Sequence, residues 1–268
     1  EVSGRGITLL REAGVEVDVG LLCEQAYDLN LGFMKRMKTG LPWITVKIAA
    51  SLDGKTALSN GVSKWITGSA ARADVQKYRA SHCALITGVE TILVDDPSLN
   101  VRYETLGELT TRHTKDEIFQ PLRVVLDSRA RLTATQQLFS IQSPILLVSG
   151  CHYSESVKAE FPEYVSFLQL TCDSSGRIPL LALLTYLGQH ANSVLVEAGA
   201  TLAGAFVAQG LVDEVVLYQA PKILGSHGRN MLQLPDYSTM EQTPVLQLID
   251  ERNVGQDKRY ILRYNQPY

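Results

Sequence analysis

Residues Trp43–Asp96, WITVKIAASLDGKTALSNGVSKWITGSAARADVQKYRASHCALITGVETILVDD, decide the fold. The opening run Trp43-Ile44-Thr45-Val46-Lys47-Ile48-Ala49-Ala50 is apolar and β-rich, which predicts a mostly buried strand. A polar, glycine-containing loop follows from Ser51 to Lys64. Thr67-Gly68-Ser69 then signals the start of a helix that runs to about Ser81. A second apolar strand, Cys83 to Gly88, leads into a short turn of helix and the acidic pair Asp95-Asp96. Strand, loop, helix, strand is the grammar of an α/β sheet, whose ligands sit where strands end and loops begin. Lys47 inside an apolar strand and the exposed Trp65 are the local oddities, and both suit a pocket.

Working outward, 268 residues hold one large α/β domain, or one domain plus a partial one. The composition, 45% hydrophobic and 20% charged, is that of an ordinary globular protein. A net charge of −3 without a basic stripe gives no case for nucleic acid. No apolar run approaches the ~20 residues that cross a bilayer, and no secretory signal is present. Cys23, Cys83, Cys151 and Cys172 are scattered without a CxxC pair, which reads as free thiols of a reducing cytoplasm rather than a disulfide or zinc framework. The chain opens at Glu1 in the run-up to a helix, and we read it as part of something longer.

Upstream of the decisive stretch, residues 5–13 predict an amphipathic helix, Val15–Val19 a half-buried strand, and Leu21–Met37 a second helix. Such a set cannot bury a core alone and reads as the tail of an upstream domain. Downstream, residues 103–120 lack periodicity and form a surface excursion. Strands are predicted at Pro121–Ser128, Pro144–Ser149, Val165–Leu170, Val194–Glu197 and Asp213–Ala220, with an edge hairpin near Val245–Glu251 and Arg259–Tyr264. Helices are predicted over Pro179–Ala191 and from the small-residue turn Ala198-Gly199-Ala200-Thr201 to about Gln209.

Three constellations carry possible chemistry. The turn after Val194–Glu197 exposes backbone N–H groups at a helix start, a site suited to phosphate, although many such turns use glycine for packing alone. Glu197, at the strand's carboxyl end, either binds a substrate hydroxyl or caps the next helix. Arg79 and Arg102 match phosphate oxygens if they converge, and otherwise are solvated surface residues. Asp95-Asp96-Pro97 is turn chemistry, or a carboxylate that orients a cofactor amide or assists proton transfer. The histidines His82, His113, His152, His190 and His227 form no metal pattern and read as surface or packing residues, so no metal site is predicted.

LPWITVKIAASLDGKTALSNGVSKWITGSAARADVQKYRA, ITGVETILVDDPSLNVR, VVLDS, VLVEAGATLAGAF and VDEVVLYQAPKILG together resemble the reductase domain of the bacterial bifunctional riboflavin-biosynthesis deaminase/reductases. The likeness covers residue 41 to the end. Residues 1–40 are similar to the end of the same family's zinc deaminase domain, so the domain division is 1–40 and 41–268. The H-A-E and P-C-x-x-C motifs that hold the deaminase zinc do not occur in this chain. The resemblance implies a dihydrofolate-reductase-like mixed α/β sheet flanked by helices, a cytoplasmic homodimer, and NADPH as cofactor. It implies reduction of the ribosyl group of 5-amino-6-(5-phosphoribosylamino)uracil, by hydride transfer to C1′ of the opened Schiff base, with zinc confined to the deaminase part. By motif, Ser63, Arg79, Leu99, Arg102, Glu197 and Lys47 would meet the ribose-phosphate substrate. Ala49, Trp65, Thr91, Asp95, Ser128 and the segment Gly199, Ala200, Thr201, Leu202, Ala203, Gly204, Ala205 would line the cofactor site. Asp95 and Glu197 would serve at the reacting centre.

Two other readings remain at this stage. A relative acting on another pterin or pyrimidine is disfavoured by the arginine pair, since folate lacks a 5′-phosphate. A catalytically silent nucleotide-binding domain that dimerises the deaminase is disfavoured by the intact Ser63, Arg79, Asp95, Arg102 and Glu197.

Overall fold

The computed structural model describes residues 4–264. The strands are β1 Trp43–Ser51, β2 Lys55–Ala57, β3 Ala84–Gly88, β4 Leu122–Leu126, β5 Ile145–Ser149, β6 Val165–Gln169, β7 Ser193–Val196, β8 Glu214–Ala220, β9 Arg229–Asn230, β10 Leu246–Val254 and β11 Asp257–Tyr264. The helices are α1 Arg5–Glu12, α2 Cys23–Asp28, α3 Leu31–Thr39, α4 Ser69–Ser81, α5 Val89–Asp95, α6 Leu109–Arg112, α7 Glu155–Lys158, α8 Leu180–Leu187 and α9 Ala200–Ala208.

Nine strands form one sheet in the order β10-β11-β8-β1-β7-β3-β4-β5-β6, and β2 pairs with β9 beside it. From β8 to β6 every neighbouring pair is parallel, and β11 lies antiparallel between β8 and β10. Parallel strands buried on both faces read as continuous apolar runs, which is what β1, β3, β4 and β5 show. On β1 the even positions Ile44, Val46, Ile48 and Ala50 join a core with Leu183, Leu184 and Leu187 of α8 and Phe206 and Val207 of α9. The opposite face carries Leu85, Val125, Leu147 and Leu195, covered by Val89 and Ile92 of α5 and by Leu99, Leu138 and Phe161. α4 covers β8 through Ala71, Val75, Val216 and Tyr218. Each fully buried large apolar side chain stabilises the sheet by about 1.5–3 kcal/mol.

The chain leaves β1 through α4, passes over one vacant position to β3, and builds β4, β5 and β6 outward. It returns through α8 to place β7 in that position, then crosses by α9 to β8 on the far side of β1. The chain direction thus reverses around β1, β7 and β3, and the crevice at their carboxyl ends is where an α/β sheet receives its ligand.

Upstream the structure departs from the sequence reading. Val15–Val19 forms no strand, because no strand among the described residues pairs with it; Val15 and Val19 are exposed. The helix expected over Leu21–Met37 breaks into α2 and α3. At the break, Asn30 turns its side-chain amide back to the Ala26 carbonyl at 3.2 Å, and Leu29 is exposed. α3 docks on the amino end of the sheet: Arg36 donates to Gly188 O, Gln189 O and Asn192 Oδ1, and Lys35 pairs with Asp213 at 2.6 Å. α8 ends four residues earlier than expected, where Gly188 meets the Gly40 carbonyl so closely that a Cβ would lie 2.0 Å from that oxygen. The paired strands β2 and β9 and helix α7 were not foreseen. No helix among the described residues is long and apolar enough to cross a membrane.

Candidate active site

The site is built outward from Glu197. β7 ends at Val196, but the Glu197 N–H still donates to the Ile86 carbonyl at 3.0 Å, so the ladder continues one residue. The pairs Val46–Val196 and Ile86–Val196 set the register. One step further, Lys47 of β1 and Thr87 of β3 flank Glu197 on the same face. That face is the one α4 covers, and Arg79 from its last turn reaches the carboxylate bidentately: Nε to Oε1 at 2.6 Å and Nη2 to Oε2 at 3.0 Å. Nη1 of Arg79 donates to the Asn100 carbonyl at 2.9 Å. The Arg79 and Glu197 side chains are only 9% and 10% exposed, so this ion pair is desolvated, and leaving either partner alone costs about 3–5 kcal/mol.

The electrostatics follow from that burial. Burial pushes the Glu197 carboxyl up, but the Arg79 guanidinium, with Lys47 behind it, outweighs burial and holds it below the usual carboxylate range. Burial pulls the Lys47 ammonium below its ordinary value; Glu197 opposes that shift and Arg79 reinforces it. His82 donates from Nδ1 to the Tyr78 carbonyl at 2.7 Å, and burial holds its imidazole toward the neutral form. A lysine that gives up its proton readily, beside a carboxylate held ionised, is a pair able to bind and polarise a sugar oxygen or an imine nitrogen.

Residues 97–102 close this end of the site. Leu99 sits in the left-handed region at φ 53° with its side chain buried in the second core, so it offers a ligand backbone only. Arg102 is exposed, and its N–H donates to Gln76 Oε1 at 3.0 Å. Arg79 is thus no solvated surface arginine: three of its N–H groups are already committed, while the exposed Arg102 side chain makes no hydrogen bond or ion pair among the described residues. Glu197 does not cap α9.

The other expected residues sit on the loop before α4, on β1, on α5 and after β4. Ser63 is half-buried in the loop before Trp65, and Trp65 is exposed under the Arg72 guanidinium, 4.3 Å from the ring centroid. Lys64 pairs with Asp95 at 3.7 Å, tying that loop to the end of α5, where Asp95 is exposed. Thr91 on α5 and Ala49 on β1 are half-buried. Ser128 follows β4, two strands from β7, and its carbonyl accepts from Gly150 N–H at 3.1 Å.

The segment Gly199–Ala205 divides in two. The N–H groups of Ala200, Thr201 and Leu202 begin α9 and have no carbonyl one turn before them in the helix, while Gly199 has open space where a Cβ would be. These groups can receive a phosphate. Ala203 N–H is bonded to Gly199 O, Ala203 is buried in the main core, Gly204 is pressed on Gln233, and Ala205 packs against the core. Within the expected cofactor segment, Ala203, Gly204 and Ala205 thus carry packing contacts in this structure.

Sequence reasoning missed Asn100, His82 and Thr87. The Thr87 hydroxyl is fully buried without a hydrogen-bond partner among the described residues. A threonine ending an apolar strand immediately before glycine was the available signal. Among the described residues no group of three or more His, Cys, Asp or Glu side chains could hold a metal ion.

Fold and site together define a reductase of dihydrofolate-reductase-like architecture, a mixed α/β protein with its ligand crevice at the carboxyl ends of a mostly parallel sheet. Residues 42–258 match the family model described as RibD C-terminal domain. The riboflavin biosynthesis protein RibD of Haemophilus influenzae is 42% identical over 259 residues, covering 96% of this chain and 68% of its own length. The RibD structure of Acinetobacter baumannii, form 1, superposes with a TM-score of 0.85 at 38% identity, covering 98% of this chain and 69% of that one. A Thermotoga maritima diaminohydroxyphosphoribosylaminopyrimidine deaminase/5-amino-6-(5-phosphoribosylamino)uracil reductase superposes at 0.78 with 26% identity, over 98% and 68% of the two chains. The chain belongs to the RibD C-terminal domain family, and with it is an oxidoreductase of riboflavin biosynthesis.

Proposed function

We propose that this chain reduces the ribosyl group of 5-amino-6-(5-phosphoribosylamino)uracil to the ribityl product with NADPH. The observation that carries the reading is the buried Arg79–Glu197 pair beside Lys47 at the carboxyl ends of β1 and β7. Arg102, exposed at the rim, takes the substrate phosphate, and Ser63 and the Leu99 backbone complete its binding. Glu197 accepts from a ribose hydroxyl. Lys47 donates to the oxygen or nitrogen at which charge develops, and desolvation strengthens both contacts. Lys47 suits the proton-donor role better than the exposed Asp95, which orients the cofactor from the end of α5.

The residues present fit the cofactor. The free N–H groups at the start of α9 suit a diphosphate, Trp65, Thr91 and Ala49 border the crevice, and Ser128 stands at the carboxyl end of β4. When bound, NADPH supplies the hydride; the protein supplies orientation, exclusion of water and charge.

The substrate test is NADPH oxidation with the ribosylaminouracil phosphate, comparing wild type with Glu197→Gln. Turnover that collapses while NADPH binding persists supports the assignment; equal turnover in both overturns it.

Two coarser readings join this proposal. Residues 1–40 are the tail of a deaminase domain, supported by α1 and α2, which bury no residue here. The active form is a homodimer, supported by the outer edge of β10, which has no strand partner among the described residues and exposes Leu248 and Ile249 for a second copy to cover. Sedimentation of the chain tests the latter.

A further inference from the structure

The segment Ser98–Arg102 is held in an unusual way. Beside its own bonds, Ser98 Oγ to Asn100 Oδ1 at 2.7 Å and Asn100 Nδ2 to the Val101 carbonyl at 3.3 Å, this loop is gripped by side chains from distant elements. The Ser98 carbonyl accepts from Arg123 Nη1 at 3.0 Å. Leu99 is locked by its buried side chain at φ 53°. The Asn100 carbonyl accepts from Arg79. Val101 is read at both backbone groups by one amide: its N–H donates to Gln120 Oε1 at 2.7 Å, and its carbonyl accepts from Gln120 Nε2 at 3.1 Å. Arg102 N–H donates to the buried Gln76. What leaves this grip free is one cationic side chain, that of Arg102.

Arg123 is the most unusual member. It is fully buried in β4, yet its guanidinium faces backbone carbonyls: Ser98 and Leu138 from Nη1, Ile141 and Ser143 from Nη2. Among the described residues it makes no ion pair with a carboxylate. Burial lowers it to about 10, so the cation persists at neutral pH, solvated by these carbonyls. A planar fork with several donors is the side chain that can gather carbonyls from separate segments. In sequence it is the same oddity as Lys47, a cation inside an apolar strand.

We infer that Gln120 and Arg123 are positioning residues for the phosphate-binding loop, acting through Arg102, whose direction they fix before substrate arrives. The inference rests on the proposed role of Arg102. A loop ordered in advance spends none of the phosphate contact on ordering itself, so losing the grip weakens phosphate binding without touching hydride transfer.

The test uses Gln120→Leu, which removes the two bonds that Gln120 makes to Val101 at a half-buried position and leaves the Asn100 bond to the Val101 carbonyl in place. Expected is a rise of roughly five- to tenfold in KM for the ribosylaminouracil phosphate. The inhibition constant of inorganic phosphate rises by the same factor, while kcat and the NADPH dissociation constant stay within about twofold. In an Arg102→Ala background the same substitution adds nothing, because the two act as one unit. Arg123→Lys, which keeps the charge and loses the fork, follows Gln120→Leu if it folds. An unchanged KM and inhibition constant in Gln120→Leu overturns the inference, as does a full additive loss in the double variant. If the wild type does not oxidise NADPH with this substrate, or Arg102→Ala leaves both constants unchanged, the substrate reading itself fails and takes this inference with it.

Discussion

Glu197 and Lys47 are adjacent on neighbouring strands, and their chemistry depends on Arg79. Glu197→Gln keeps the shape and removes the charge; we expect kcat to fall by about 10²-fold or more, measured by steady-state NADPH oxidation. Arg79→Met acts differently. With its main counter-charge gone, burial raises the Glu197 pKa, so the acid limb of the kcat/KM profile moves to higher pH. In the native protein the sign for stability is set by the depressed carboxyl. Its contribution is present above the ordinary glutamate range and is lost as pH falls through the lower folded value. A pH profile unchanged in Arg79→Met contradicts this coupling. At this scale the sequence showed which residues were chemically odd but not how they pair. Lys47 in its apolar strand and Glu197 at a strand end were legible, and phosphate contact was the expectation for Arg79. The partner of Arg79 depends on α4 folding back across β7, 118 positions along the chain, which no local pattern reveals.

Among the elements, α9 shows why small residues are read two ways. Gly199 before it faces open space, and its second turn is packed: a Cβ on Gly204 would lie 2.1 Å from the Gln233 carbonyl. Gly204→Ala should therefore destabilise the protein by about 1–3 kcal/mol, seen as a lower urea midpoint with an unchanged slope. Gly199→Ala meets open space and should leave stability within about 0.5 kcal/mol while weakening NADPH binding. Equal destabilisation by both would contradict the division of this helix. Strands of the central sheet were legible because buried parallel strands are continuous apolar runs. The failures are equally physical. Val15–Val19 alternates correctly but has no strand to pair with among the described residues, and the helix around Leu29 is broken at an asparagine whose side chain bonds back to the Ala26 carbonyl.

For the whole molecule, the order β8-β1-β7-β3-β4 matters most, because it brings Lys47, Glu197 and Thr87 onto adjacent strands at one end of the sheet. Topology of this kind is invisible to periodicity; family resemblance across several ordered motifs supplied it. A ligand that binds only the folded crevice must raise thermal stability. NADPH at 100 times its dissociation constant should add about 2.7 kcal/mol, measurable as a rise in Tm that NADH matches less well if Ser128 reads the 2′-phosphate. The most direct measurement of the central claim is the loss of nicotinamide absorbance when NADPH and 5-amino-6-(5-phosphoribosylamino)uracil are mixed with the purified chain. The account predicts steady oxidation that requires the substrate phosphate, gives the ribityl product and collapses in Glu197→Gln. Tight NADPH binding with no oxidation would contradict it and leave a domain that holds a nucleotide without reducing anything.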